Sequence, residues 1–367
     1  MSLQIILHGN NQIKQLLINL NIKKLFVVHD DSYNCLSIRN EVKNFEVERI
    51  YYGSVKSNPL YIDICKAVSV FNTEQCNGII AIGGGSVIDT AKCIKLFCRM
   101  DDRASYLEQE FVENSIPIIA VPTTAGSGSE STHFAVIYHN GEKQSLDHKS
   151  IMPDYAILIP ELLNTLPLYQ KKCTFLDALC QGIESWWSVN STEESKTYSK
   201  IAIEKLMQSM NFYFSADAKS MENVMEGANY AGRAINITQT TAPHAMSYKL
   251  TTLYNLPHGH AVAICLPEVW RYMLDNMDKC TDSRGVEYIR GIFVDIAHAL
   301  GHSTVSQAID GFSDMLVKID VLPPKNVSKE EISLLASSVN PTRLKNSPIY
   351  IDEKAAKTLY HNIMSRK

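Results

Sequence analysis

Short, unbroken runs of apolar and β-branched residues recur through the first 160 or so positions. They are Leu3–Leu7, Leu25–Val28, Val47–Tyr52, Gly78–Ile82, Ile116–Val121, Phe134–Tyr138 and Tyr155–Ile159. Segments of helical character separate several of them, among them Asn58–Asn72 and Ile88–Arg99. Strand–helix–strand alternation predicts a parallel sheet covered by helices. Runs that are continuous rather than alternating predict strands buried on both faces. From Pro167 the pattern changes to long amphipathic segments: Tyr169–Val189, Glu193–Phe214, Ala216–Asn236, Gly259–Asn276, Val286–Leu300, Ser303–Ile319, Lys329–Ser338 and Asp352–Ser365. The prediction is an α/β domain over residues 1–162 followed by an all-α domain over 163–367.

Composition narrows the class. The 367 residues are 45% apolar and 20% charged, enough to bury a sizeable core. The formal charge of −4 argues against a dedicated nucleic-acid binder, which needs a basic excess to meet phosphates. Nine cysteines are scattered without a CxxC pair. That is the usage of reduced thiols and points to the cytoplasm. The first residues lack a basic stretch followed by an apolar one, so no signal peptide is expected. No run approaches the ~20 apolar residues of a membrane span.

Two turns carry candidate chemistry in the first half. In GIIAIGGGSVIDTAK (78–92) an apolar strand runs through Gly83–Gly85 and Ser86 into a helix pattern. Glycines let backbone approach a ligand, and a helix N-terminus offers unpaired N–H groups to a diphosphate. The spacing is not GxGxxG. After the next apolar run, IIAVPTTAGSGSE (118–130) offers Thr123, Thr124 and Ser127 at a strand's C-terminal end. In open α/β sheets ligands sit at that edge. The two turns together predict a nucleotide site of Rossmann-like kind.

The second half holds Asp177 and Gln181, four residues apart and so on one helix face. Further on come His244, His258 and His260. Imidazoles with one carboxylate suit Zn or Fe.

Taken together, GGGSVIDTAK, VPTTAGSGSE, IMPDYAILIPELLNTLP, LDALCQGIES and HAMSYKLTTLYNLPHG resemble the motifs of the iron-containing (group III) alcohol dehydrogenase family, in order and over nearly the whole chain. The resemblance implies its dehydroquinate-synthase-like two-domain architecture. It also implies a metal-dependent NAD(P)H oxidoreductase. By position, Asp177, His244 and His258 match the family's metal ligands, and the fourteen-residue gap between the histidines is also the family's. Gln181 stands where a histidine ligand is usual, which leaves Fe2+ or Zn2+ open. Gly84, Gly85, Ser86, Asp89, Thr123, Thr124, Ser127 and Lys143 match its cofactor contacts. Asp30 matches the acidic position that accepts from the adenosine ribose and disfavours a 2′-phosphate, which favours NAD(H) over NADP(H). Asp31 beside it bears on the same choice. Tyr248 replaces a histidine associated with proton movement.

The wording around the ligands is most similar to the phosphonoacetaldehyde reductase branch, which forms 2-hydroxyethylphosphonate. A polar wall containing Arg233, Thr241 and Lys249 replaces a usually apolar stretch, and a guanidinium suits an anionic substrate. The expectation is therefore reduction of a small anionic aldehyde to a primary alcohol, with no nucleic-acid or membrane partner. The resemblance suggests a homodimer. The alternatives are a short-chain or polyol dehydrogenase of the same family, a dehydroquinate-synthase-like cyclase, and a non-catalytic nucleotide-binding protein.

Overall fold

The computed structural model describes residues 4–53, 55–215 and 217–366. Leu3 and Ala216, which open two of the predicted segments, lie outside them. The chain divides into two compact units, Met1–Leu166 and Pro167–Lys367.

The first unit runs β1 (Ile5–His8), α1 (Ile13–Asn19), β2 (Lys24–His29), α2 (Ile38–Lys43), β3 (Glu48–Tyr52), α3 (Tyr61–Thr73), β4 (Gly78–Gly83), α4 (Gly85–Phe97), β5 (Ile118–Pro122), β6 (Phe134–His139), β7 (Glu142–Asp147) and β8 (Tyr155–Leu158). Six strands form one sheet in the order β1-β8-β5-β4-β2-β3, all paired in parallel. Every residue of β4 and β5 is buried. Alternate residues enter two separate cores. Phe26, Val28, Ile79, Ala81, Ile118 and Ala120 pack with α3 and α4. Leu25, Val27, Ile80, Ile82, Ile119 and Val121 pack with residues of α1 and α2. This explains why the strands read as unbroken apolar runs.

One predicted strand is corrected. The run at 134–138 is not part of the parallel sheet. It pairs antiparallel with β7 as a hairpin. Asn140 and Gly141 close that hairpin at φ 52° and 79°, the conformation a type I′ turn demands. Its burial alternates, as suits a strand with one covered face.

The second unit has no named strand among its described residues. Its helices are α5 (Leu168–Trp187), α6 (Glu193–Tyr213), α7 (Ala218–Thr238), α8 (Ala242–Tyr254), α9 (His258–Asp275), α10 (Val286–Ala299), α11 (Val305–Lys318), α12 (Lys329–Ser337), α13 (Pro341–Leu344) and α14 (Glu353–Ser365). Helix α8 was not expected, because the TQTTAP that leads into it has no apolar stripe. Trp187, Trp270 and Phe293 pack edge to face at the centre of the unit. Among the described residues no helix is long and apolar enough to cross a membrane.

Candidate active site

In the first unit the strand order reverses between β2 and β4, because the chain lays β4 on the side of β2 opposite β3. Ligands of open α/β sheets bind at such a switch point, beyond the strands' carboxyl ends. Asp30 stands there at the end of β2, and Gly84–Ser86 at the end of β4. Gly84 is extended and gives α4 no side-chain cap, so the leading N–H groups of the helix remain for an anion. The loop after β5 lies against this turn. Thr123 N–H donates to the Gly83 carbonyl at 3.1 Å. A Cβ on Gly85 would stand 2.7 Å from Ser127 Oγ, and one on Gly84 would be 3.4 Å from Thr124. At Gly85 a side chain would therefore push the two loops apart, whereas at Gly84 it would make ordinary contact. Asp30 commits one oxygen to Ser32, whose N–H donates to Oδ1 at 2.9 Å.

Asp89 has partners within the protein as well. Its Oδ1 accepts from Ser129 Oγ at 2.5 Å and its Oδ2 from Val136 N–H at 2.9 Å. Buried Lys92 stands 4.0 Å away and donates to Ser129 Oγ, Thr132 Oγ1 and the Phe134 carbonyl. Through these two bonds Asp89 ties α4 to the second loop and the hairpin. Burial pushes the Lys92 ammonium down to about 8, against the pull of Asp89 and Glu130. Lys143 is exposed on β7, where its charge acts on Asp89.

In the second unit, α5, α8 and α9 bring Asp177, His244 and His258 together. One ligand atom from each lies within 4.8 Å of the others. His244 Nε2 is 3.4 Å, and His258 Nε2 4.0 Å, from Asp177 Oδ1. A tetrahedral ion with ligands at about 2 Å has ligand-to-ligand edges of about 3.4 Å. Asp177 Oδ1 and His244 Nε2 are buried atoms that make no hydrogen bond of proper geometry. Such orphaned atoms facing each other fit a divalent cation.

The hydrogen bonds fix both imidazoles for that task. His244 Nδ1–H donates to Glu184 Oε1 at 2.5 Å, which turns the Nε2 lone pair toward Asp177. Ser247 spends its hydroxyl proton on the His244 carbonyl at 2.8 Å, so at 3.4 Å it accepts from His258 Nδ1–H. That contact puts the proton of a neutral His258 on Nδ1, the tautomer in which Nε2 can ligate. Burial alone would lower the His244 pKa. Glu184 and Asp177, one at each ring nitrogen, override it and raise it to about 9. Burial raises the Asp177 carboxyl, but both histidines and the Gln181 amide more than offset it. The surroundings thus call for a positive charge, which a metal ion supplies.

Glu184 went unrecognised in the sequence. It lies seven residues after Asp177 on α5 and is fully buried. Its other oxygen accepts from Thr241 N–H at 2.7 Å and Thr241 Oγ1 at 2.8 Å. The signal was a carboxylate in the apolar register of a buried helix. Glu184→Gln keeps the shape but weakens the grip on His244. Metal affinity is expected to fall about 10–100-fold, read by competition with a chelator. An unchanged affinity would show that the carboxylate does not orient the ligand.

Other sequence-predicted residues are placed as follows. Gln181, buried one turn along α5, hydrogen-bonds Asp177. His260 is not among the clustered ligands. Tyr169 Oη and the Leu322 carbonyl occupy its two ring nitrogens, each at 2.8 Å. Thr241 is corrected from substrate contact to support, since its hydroxyl lies between Glu184 and Trp187 Nε1. Arg233 is likewise corrected. Its guanidinium donates to Tyr198 Oη at 2.6 Å and lies over the rings of Tyr198 and Tyr230, at 4.1 and 5.3 Å. None of its contacts among the described residues is to the three clustered groups. Half-buried Lys249 forms no ion pair among the described residues. Tyr248 stacks on His258 with ring centres 6.0 Å apart. Burial raises its pKa, so the phenol keeps its proton at neutral pH.

Comparison with known proteins agrees with this arrangement. Residues 4–160 match the family model described as iron-containing alcohol dehydrogenase, and residues 172–364 match the C-terminal model of the same family. A probable alcohol dehydrogenase, EutG, of Escherichia coli K12 is 34% identical over 220 residues. That match takes in 58% of this chain and only 56% of the relative's length. A phosphonoacetaldehyde reductase of Streptomyces viridochromogenes is 30% identical over 295 residues, covering 75% of this chain and 73% of that one. The crystal structure of a sulfoacetaldehyde reductase from Bifidobacterium kashiwanohense, in complex with NAD+, superposes with a TM-score of 0.89. It covers 100% of this chain and 98% of its own at 23% identity, and establishes the shared fold. The chain belongs to the iron-containing alcohol dehydrogenase family.

Proposed function

We propose that the protein is a metal-dependent oxidoreductase that reduces a small anionic aldehyde to its primary alcohol with NADH, the best-supported substrate being phosphonoacetaldehyde. The observation that carries the chemistry is the convergence of Asp177, His244 and His258, with Asp177 Oδ1 and His244 Nε2 buried and without a hydrogen bond. These three would hold the divalent ion, with Gln181 beside them. When bound, the ion polarises the carbonyl and the reduced nicotinamide supplies the hydride.

The chain's own residues do the rest. Gly84, Gly85 and Ser86 present backbone N–H groups to a diphosphate, and Thr123, Thr124 and Ser127 border them. Asp30, with one oxygen unused by Ser32, accepts from a ribose hydroxyl and repels a 2′-phosphate, which favours NADH. Glu184 and Ser247 keep both imidazoles in the ligating tautomer. Tyr248 retains its proton at Oη and can give it to the product oxygen. The anionic substrate is supported by the resemblance to the Streptomyces reductase.

The test is an assay grid. Protein purified without oxygen is stripped, reloaded with Fe(II) or Zn, and followed at the nicotinamide absorbance with phosphonoacetaldehyde or propanal. Metal-dependent NADH oxidation at least about tenfold faster with the phosphonate is expected, a charge-recognition effect of ordinary size. Equal or faster turnover of propanal would discard the anionic substrate while keeping the dehydrogenase.

A further inference from the structure

Arg343 is a half-buried cation with no carboxylate partner among the described residues. It stands on α13, outside every motif of the family resemblance. One of its N–H groups, on Nη1, donates to Gln239 Oε1 at 3.3 Å, and its other side-chain N–H groups make no hydrogen bond among the described residues. A half-buried guanidinium with donors to spare is a ready partner for an anion.

The turn it touches is unusual. Gln239 joins α7 to α8 at φ 58° and ψ 177°, a region that side chains avoid. Asn346 clamps it further, donating to Gln239 Oε1 at 3.5 Å and to the Thr240 carbonyl at 3.0 Å. The next residue, Thr241, is bound to Glu184, which holds His244. The turn is therefore tied to Arg343 on one side and to the metal cluster on the other. Tyr248 connects them as well. It stacks on His258, hydrogen-bonds Thr240, and lies within reach of the Arg343 charge.

We propose that Arg343, positioned by the strained Gln239–Thr241 turn, is the subsite that grips the oxyanion end of the substrate, a phosphonate or a sulfonate, across Tyr248 from Asp177, His244 and His258. It takes over the part that the sequence assigned to Arg233, whose guanidinium is already enclosed by tyrosines. The planar fork offers two parallel donors to a tetrahedral oxyanion. The assignment rests on the anionic-aldehyde function proposed above.

The experiment uses the metal-loaded enzyme with NADH and three aldehydes: phosphonoacetaldehyde, sulfoacetaldehyde and neutral propanal. The readout is the ratio of kcat/KM for each anion to that for propanal. Arg343→Ala should lower that ratio about 30-fold or more, the size of a lost charge-assisted pair. Arg343→Lys should fall between, and added guanidinium ion should restore part of the ratio in Arg343→Ala. Binding of methylphosphonate by calorimetry should weaken in parallel, whereas Arg233→Ala should leave the ratio where it is. The anion with the higher wild-type ratio names the headgroup. A wild-type enzyme that prefers either anion but keeps its ratio in Arg343→Ala would overturn the subsite alone. A wild-type enzyme that prefers propanal would overturn the anionic-aldehyde function, and the subsite with it.

Discussion

Asp177→Asn is expected to lower turnover at least about a thousandfold, a loss of about 4 kcal/mol in transition-state stabilisation, while leaving the fold intact. The substitution is isosteric and lies within a helix, so packing around α5 is kept. What disappears is the one negative charge among the three clustered groups. A neutral amide oxygen binds a divalent ion far less well than a carboxylate. Metal content after gel filtration should drop in step with activity. The stability measurement is equally direct. Added Zn or Fe(II) stabilises a protein that binds it only when folded by about 2.7 kcal/mol at a hundred times Kd, and so raises its melting temperature. That rise should be present in the wild type and absent in Asp177→Asn. A variant that still gains stability from metal would remove Asp177 from the ligand set.

The second large effect is expected at a glycine. A Cβ on Gly259 would lie 1.9 Å from the Cys173 carbonyl oxygen and 2.8 Å from Asp177 Cβ. The first obstacle is backbone, so no rotamer change relieves it. Gly259→Ala must push the start of α9 away from α5 and carry His258, the preceding residue, with it. Overpacking of this kind costs about 1–3 kcal/mol, and displacing a ligand by a fraction of an ångström weakens the metal site besides. Both a lower melting temperature and a loss of bound metal should appear. Gly291 provides the contrast. It sits within α10 with open space where a Cβ would go, so Gly291→Ala should leave metal binding alone and stabilise by about 0.5–1 kcal/mol. If Gly259→Ala behaved like Gly291→Ala, the close contact of α5 and α9 would not be what seats His258.

Much of this architecture was legible because strong local patterns carry it. The buried strands could be read from unbroken apolar runs, and the glycine turn from its position between one such run and a helix. Asp177 and His258 sit in motifs specific enough to be found. The residues that escaped are those whose meaning depends on distant partners. Glu184 resembles any polar residue in a helix until Thr241 and His244 close around it. Arg233 and Arg343 have the same chemistry in sequence, yet only tertiary contacts distinguish a cation held against two tyrosines from one held by a single amide oxygen. His260, two positions from a ligand, differs from it only in that both its nitrogens are already taken. The β6–β7 hairpin was missed although Asn140-Gly141 marks it, because polar Glu142–Asp147 carries no strand pattern of its own.

The thiols have a practical consequence. All nine cysteines are free, and Cys35 alone is exposed. Burial raises the pKa of Cys76, Cys98 and Cys173 to about 11, and that of Cys93, Cys180 and Cys265 also rises. Shielded thiols held in the protonated form are poor targets for oxidation. Air therefore has little to attack among the six buried thiols, which leaves exposed Cys35 and half-buried Cys65 and Cys280. Activity that fades in air and returns on adding ferrous salt, but not on adding dithiothreitol, would identify iron as the resident ion, whereas indifference to air would exclude it.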